Sequence, residues 1–132
     1  MKRQVIFTDK ASPPSGAYSQ AIRAGQFVFT AGMAAIDPKT KKLVAPGDIA
    51  TQTAKTLDNL QAALKAAGTS LENAVKVNAY IHDINEWSKF NEAYIKYFPK
   101  DPPTRTTIAV GGFPEGMCVE IDVIALVPDA EG

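Results

Sequence analysis

Between Asp48 and Ala67 the apolar period is helical: Ile49, Thr53, Leu57, Leu60, Leu64 and Ala67 recur every three or four residues. After a short break Val75, Val77, Ala79 and Ile81 alternate with Lys76, Asn78, Tyr80 and His82, the period of a half-covered strand. A chain that changes period in this way has to lay a one-sided helix on a sheet, because neither element can bury its apolar face alone. Gly68 supplies the helix stop, and "TSLE" predicts a short turn capped through Thr69 and Glu72. A second helix is predicted after Asp83 or Asn85, with Trp87, Phe90, Tyr94 and Tyr97 on one stripe and Pro99 ending it.

The flanking segments read as strands. They are 4–8, 26–36 (apolar enough to be covered on both faces), a short return near Leu43 and Val44, Thr104–Val110 and Met117–Val127. "ASPPSGAYSQAI" reads as a loop that turns at Pro14, Ser15 and Gly16, and "GGFPEG" as the turn joining the last two strands. The order β-β-β-α-β-α-β-β predicts an α+β fold with both helices on one face of the sheet. Since no linker or repeat interrupts it, residues 1–132 read as a single domain. The last strand is apolar on both sides, with Val119, Ile121 and Val123 on one and Cys118, Ile124 and Leu126 on the other. The uncovered sheet face is therefore predicted to lie against another subunit.

Composition narrows the function classes. Fourteen basic and fourteen acidic residues cancel, which argues against nucleic acid or an anionic membrane as principal partner. One cysteine and one histidine exclude an internal disulfide and a Cys/His zinc site. No apolar run reaches signal-peptide length or the roughly 18 residues of a membrane span, so a cytoplasmic, soluble protein is expected. Phosphate-loop, dinucleotide and nucleophile-elbow motifs are absent.

Chemistry therefore falls to individual side chains. In "PPTRTTIAV" a strand rich in Thr, Ile and Val carries Arg105, one of three arginines in the chain. Alternation places Arg105 and Thr107 on one strand face. Glu120 lies inside "MCVEIDVIALV", among residues that prefer dry contacts. If the two strands pair, Arg105 and Glu120 meet as a cross-strand ion pair, and spacing alone favours that over ligand binding. The alternative is a guanidinium fork that grips a carboxylate and a carboxylate that orients water. Tyr18 follows a turn and either anchors the loop or bonds a ligand. Asn91 flanks the apolar helix stripe, and Gly32 marks a bulge or a close backbone approach. His82 is expected to face solvent or an interface, and Cys118 to be a buried, inert thiol.

Taken together, "SGAYSQAI", "FTAGMAAIDPKT", "VKVNAYIHDINEWSKFNEAY", "PPTRTTIAV" and "VEIDVIALV" resemble the RidA/YjgF family of reactive-intermediate deaminases from about Phe7 to Val127. The resemblance implies a chorismate-mutase-like mixed sheet assembled as a homotrimeric barrel, with pockets at the subunit interfaces. It implies cofactor-free hydrolysis of 2-enamino and 2-imino acids, such as 2-aminoacrylate and 2-iminobutanoate, to 2-oxo acids and ammonia. Arg105 would bind the substrate carboxylate, and Glu120 would hold water and shuttle its proton. Tyr18, Gly32, Asn91 and Thr107 would line the pocket. Thr107, Ala31 and Met33 stand where cysteine, serine and glutamine are commoner, which bears on substrate range. Members are also described as ribonucleases or translation inhibitors; a chaperone or ligand-sensing trimer is a third expectation.

Overall fold

A computed structural model describes residues 2–129. Six strands, β1 (Gln4–Ile6), β2 (Ala21–Ala24), β3 (Phe27–Thr30), β4 (Ala74–Ile81), β5 (Thr104–Ala109) and β6 (Val119–Leu126), form one sheet in the order β1-β2-β3-β6-β4-β5. Every neighbouring pair is antiparallel except β4 with β5. Helix α1 (Ile49–Ala66) links β3 to β4, and α2 (Trp87–Tyr94) is the crossover that makes the parallel pair possible.

Both helices cover one sheet face, as the period predicts. Ile49, Leu57, Leu60 and Leu64 of α1 and Phe90 of α2 pack there with Val77, Ala79, Ile81, Val119, Ile121 and Val123. Each of these side chains larger than alanine contributes about 1.5–3 kcal/mol of burial. The other face is open and mixed, with Val5, Phe27, Phe29, Ile108 and Leu126 exposed on it beside the polar residues of β4 and β6.

The expected boundaries of α1 hold. Asp48 caps it by accepting from the Thr51 N–H (3.2 Å) and hydroxyl (2.8 Å), and Gly68 takes φ +91° beyond its end. Thr69 departs from expectation. Its hydroxyl donates to the Leu126 carbonyl (2.6 Å), tying the helix exit to β6, and Ser70 opens the following turn without a side-chain cap.

The order of elements is right and β1 falls within the expected 4–8, but the second and third strands differ from expectation. "AIRA", whose first two residues read as the end of a loop, is β2, a hairpin partner of β3 through Gly25 at φ +62°. The apolar run 26–36 stays a strand only to Thr30. There the Thr30 hydroxyl, in place of a backbone carbonyl, accepts from the Val123 N–H (2.9 Å), and the chain rejoins β6 at Met33 opposite Ile121. The return near Leu43 is a single bridge to Ile36. Phe27 and Phe29 also stand exposed, so β3 is covered on one face only.

Three buried amides pin the loops around the end of this sheet. Gln20 accepts from the Thr8 N–H and donates to the Thr8 and Ser12 carbonyls, holding the Pro/Ser loop. Asn59 donates to the Ala34 and Ile36 carbonyls at 3.0 and 2.9 Å. Gln52 donates to Ala45 and Gly116 and accepts from the Cys118 N–H (2.8 Å), which fixes the entry to β6. Buried amides satisfied in this way specify one loop geometry.

Candidate active site

The strand order separates Arg105 from Glu120. Arg105 pairs with Val77 on β4, and Val77 has Val123 of β6 on its other side. Glu120 lies opposite Tyr80. With β4 between them and the two side chains on opposite sheet faces, the expected cross-strand ion pair does not form within the chain. Alternation had grouped each strand's residues correctly; pairing β5 with β6 was the error.

Arg105 instead rests against α2. Its guanidinium carbon lies 4.6 Å from the ring centroid of Tyr94, 5.5 Å from Phe90 and 5.6 Å from Trp87. Helical spacing puts these three rings on one side of α2, and Asn91 beside them accepts from Arg105 Nη1 at 2.8 Å. Stacking on rings stabilises a cation by about 0.5–2 kcal/mol per favourable contact, and the planar fork loses little entropy when held. Among the described residues the one ion pair is Lys89–Glu86, so Arg105 has no carboxylate. The Tyr94 phenol is buried with no hydrogen-bond partner there; burial pushes it up to about 12, against a smaller opposing pull from Arg105. Thr107, two residues on and on the same face, also has a buried hydroxyl without a partner among the described residues.

Glu120 belongs to the open face. It borders a pocket of about 380 Å³ together with Tyr18, Gly32, Met33, Lys41 and Met117. A Cβ on Gly32 would stand 2.9 Å from the Glu120 carboxyl carbon, so the glycine is the close approach its place in the run suggested. The Tyr18 hydroxyl accepts from the Ser15 N–H (3.0 Å) and lies 3.2 Å from its Oγ, so it anchors the loop while its half-exposed ring walls the pocket. Burial raises the proton affinity of Glu120, and the Asp122 charge raises it further.

Two half-sites result: Arg105, Asn91 and Thr107 on the helix side, and Glu120, Gly32 and Tyr18 on the open side. The rings of Trp87, Phe90 and Tyr94 read in the sequence only as a core stripe; their signal as a cage was Asn91 among them and an arginine on the next strand. Lys41 and Met117 were missed for want of any local pattern. His82 is exposed. Cys118 is buried, its thiol pushed up chiefly by burial and also by the Glu86 charge. Among the described residues no cluster of three His, Cys, Asp or Glu could hold a metal ion, and no helix is long and apolar enough to cross a membrane.

Residues 8–127 match the family model described as endoribonuclease L-PSP. A RutC family protein of Pyrococcus horikoshii is 46% identical over 123 residues, which span 93% of this chain and 97% of that protein. A rat protein named 2-iminobutanoate/2-iminopropanoate deaminase is 39% identical over 94% of this chain and 90% of its own. The crystal structure of RidA from the Antarctic bacterium Psychrobacter sp. superimposes with a TM-score of 0.89 at 33% identity, covering 94% of this chain and 99% of that one. A match of this length, on a sheet and helices of the same layout, makes this chain a member of the endoribonuclease L-PSP family, the RidA/YjgF group that its sequence resembles.

Proposed function

We propose that this protein hydrolyses 2-imino and 2-enamino acids to 2-oxo acids and ammonia, at sites completed by a second copy of the chain in a homotrimeric barrel. The observation that carries this reading is the Arg105 guanidinium, held by Asn91 and three rings and given no carboxylate among the described residues. A fork so placed suits the carboxylate of a small substrate. Because Glu120 lies on the opposite face, one copy cannot bring both groups to one substrate. The apolar residues exposed on the open face supply a reason for copies to associate.

The chemistry then needs only these groups. Arg105 holds the substrate carboxylate, with Thr107 and Asn91 beside it. Glu120 of the facing copy takes a proton from water as the oxygen bonds to the imine carbon, giving a carbinolamine. With the imine nitrogen protonated on entry, returning that proton to the amine lets the C–N bond break, and the hydroxyl gives its own proton to the departing ammonia, leaving ammonium and the 2-oxo acid with the carboxylate restored. An imine carbon is already electrophilic, so orientation and charge placement suffice without a cofactor.

The test couples the protein to a pyridoxal-phosphate-dependent serine/threonine dehydratase and follows imine disappearance. Wild type accelerates it, and Arg105→Ala loses about 2–5 kcal/mol of transition-state binding, roughly 30-fold to several thousand-fold. No acceleration by wild type, or equal acceleration by the variant, overturns the reading. RNA cleavage by stringently purified protein that Arg105→Ala leaves intact would favour a ribonuclease instead.

A further inference from the structure

Beside Glu120 the open sheet face carries a second carboxylate with a well-defined setting. Asp122 is two residues further along β6, so the two carboxyl groups project from the same face with Cα atoms about 7 Å apart. Both Asp122 oxygens receive donors from β4. Asn78, directly opposite, donates Nδ2 to Oδ1 at 2.9 Å, and Tyr80, opposite Glu120, reaches diagonally to donate its hydroxyl to Oδ2 at 3.3 Å. No cation within ion-pair distance neutralises Asp122 among the described residues; Lys76, on the same face, turns its amine to Thr106 Oγ1 at 3.3 Å instead. The outcome is a negative charge held still next to the candidate acid–base group.

We infer that Asp122 is a positioning residue for the imine-hydrolysing site, a charge clamped by Asn78 and Tyr80 on the sheet face that also carries the Glu120 carboxyl. This rests on the deaminase reading above. A carboxylate that must take a proton from water and hand it to nitrogen works best when its affinity is lifted toward the working pH. In the assembled site Arg105 of the facing copy pulls the other way, and Lys41 and Tyr18 border the same pocket. Tyr80 faces Glu120 across the strands but donates its hydroxyl hydrogen bond to Asp122, so it does not occupy the Glu120 carboxyl. Asp122 thus offsets the cation that the substrate carboxylate requires. Both the burial of Glu120 and the Asp122 charge act in the stated direction.

Asp122→Asn keeps the shape and one acceptor but removes the charge. Removing a charge beside the Glu120 carboxyl weakens that carboxyl's hold on its proton. The acidic limb of kcat/KM is therefore expected to move to lower pH, with thermal unfolding little changed. A ¹³C NMR titration of the Glu120 carboxyl, read without turnover, should move in the same direction. A merely structural Asp122 predicts lower stability with both midpoints unmoved, and that result overturns the inference while wild type still turns over imine. Absence of turnover by wild type overturns the deaminase reading and this inference with it.

Discussion

Gly32→Ala separates the placement of the Glu120 carboxyl from the stability of the fold. The backbone at Gly32 does not occupy the left-handed region, so alanine is conformationally allowed there. The new methyl would lie 2.9 Å from both the carboxyl carbon and Oε2 of Glu120. Ordinary contact begins near 3.4 Å, so the carboxyl has to retreat by about half an ångström, which the end of a flexible side chain can do. Misplacing a reacting group by about 1 Å costs about a hundred-fold in rate, so about half that distance predicts roughly ten-fold. Removing glycine from the unfolded ensemble meanwhile stabilises the protein by about 0.4–1 kcal/mol. The dehydratase-coupled rate and urea unfolding, measured on one preparation, should show a slower enzyme that is no less stable. Full activity would mean that the carboxyl does not work from this position. Joint collapse of rate and stability would mean that the backbone yielded rather than the side chain. Either result refutes the reasoning.

Two further outcomes are expected. Glu120→Gln should abolish imine hydrolysis and yet stabilise the fold at about pH 8. Glu120 has a raised affinity in the folded state, so its contribution is full below the ordinary carboxylate range and lost as pH rises through its folded titration. The urea-midpoint difference from wild type should accordingly fade toward about pH 4, and a pH-independent difference would contradict the assignment. Phe29→Glu places a charge among the apolar residues of the open face without touching the core, since Phe29 is 43% exposed. Sedimentation should show that variant as monomers lacking turnover; a fully active monomer would remove the need for a second copy.

What the sequence disclosed depended on the range of the interactions involved. Helix α1 was legible because its cap, period and stop all lie within a single run from Asp48 to Gly68, and each is a local preference. Strand faces were legible for the same reason: alternation alone groups Arg105 with Thr107, and Glu120 with Asp122. Strand partners were not. Whether β5 lies against β6 or against β4 is decided by the α2 crossover and the packing of its rings, which no short pattern encodes. β2 was hidden because "AIRA" is four residues long and follows a Pro/Ser loop whose hold on the core comes from Gln20. The truncation of β3 turned on one hydroxyl, that of Thr30, replacing a carbonyl. Strand and helix patterning already singled out Arg105, Glu120 and Asn91, and the family resemblance supplied the roles expected of them, whereas the contacts of the aromatic cage are three-dimensional.

The α2 crossover has a consequence for how such a protein can diversify. Every part of the Arg105 cradle is spelled within residues 87–105, on one helix and the strand it delivers, so it travels through mutation and recombination as a unit. The pocket beside Glu120 is gathered instead from residues 12–41 and 117–120, on loops tied down by separate amides. A change of loop length or of one wall residue there alters volume and polarity without disturbing the cradle. On the proposed deaminase reading, descendants of this chain could therefore exchange the side chains they accept while keeping the same carboxylate cradle.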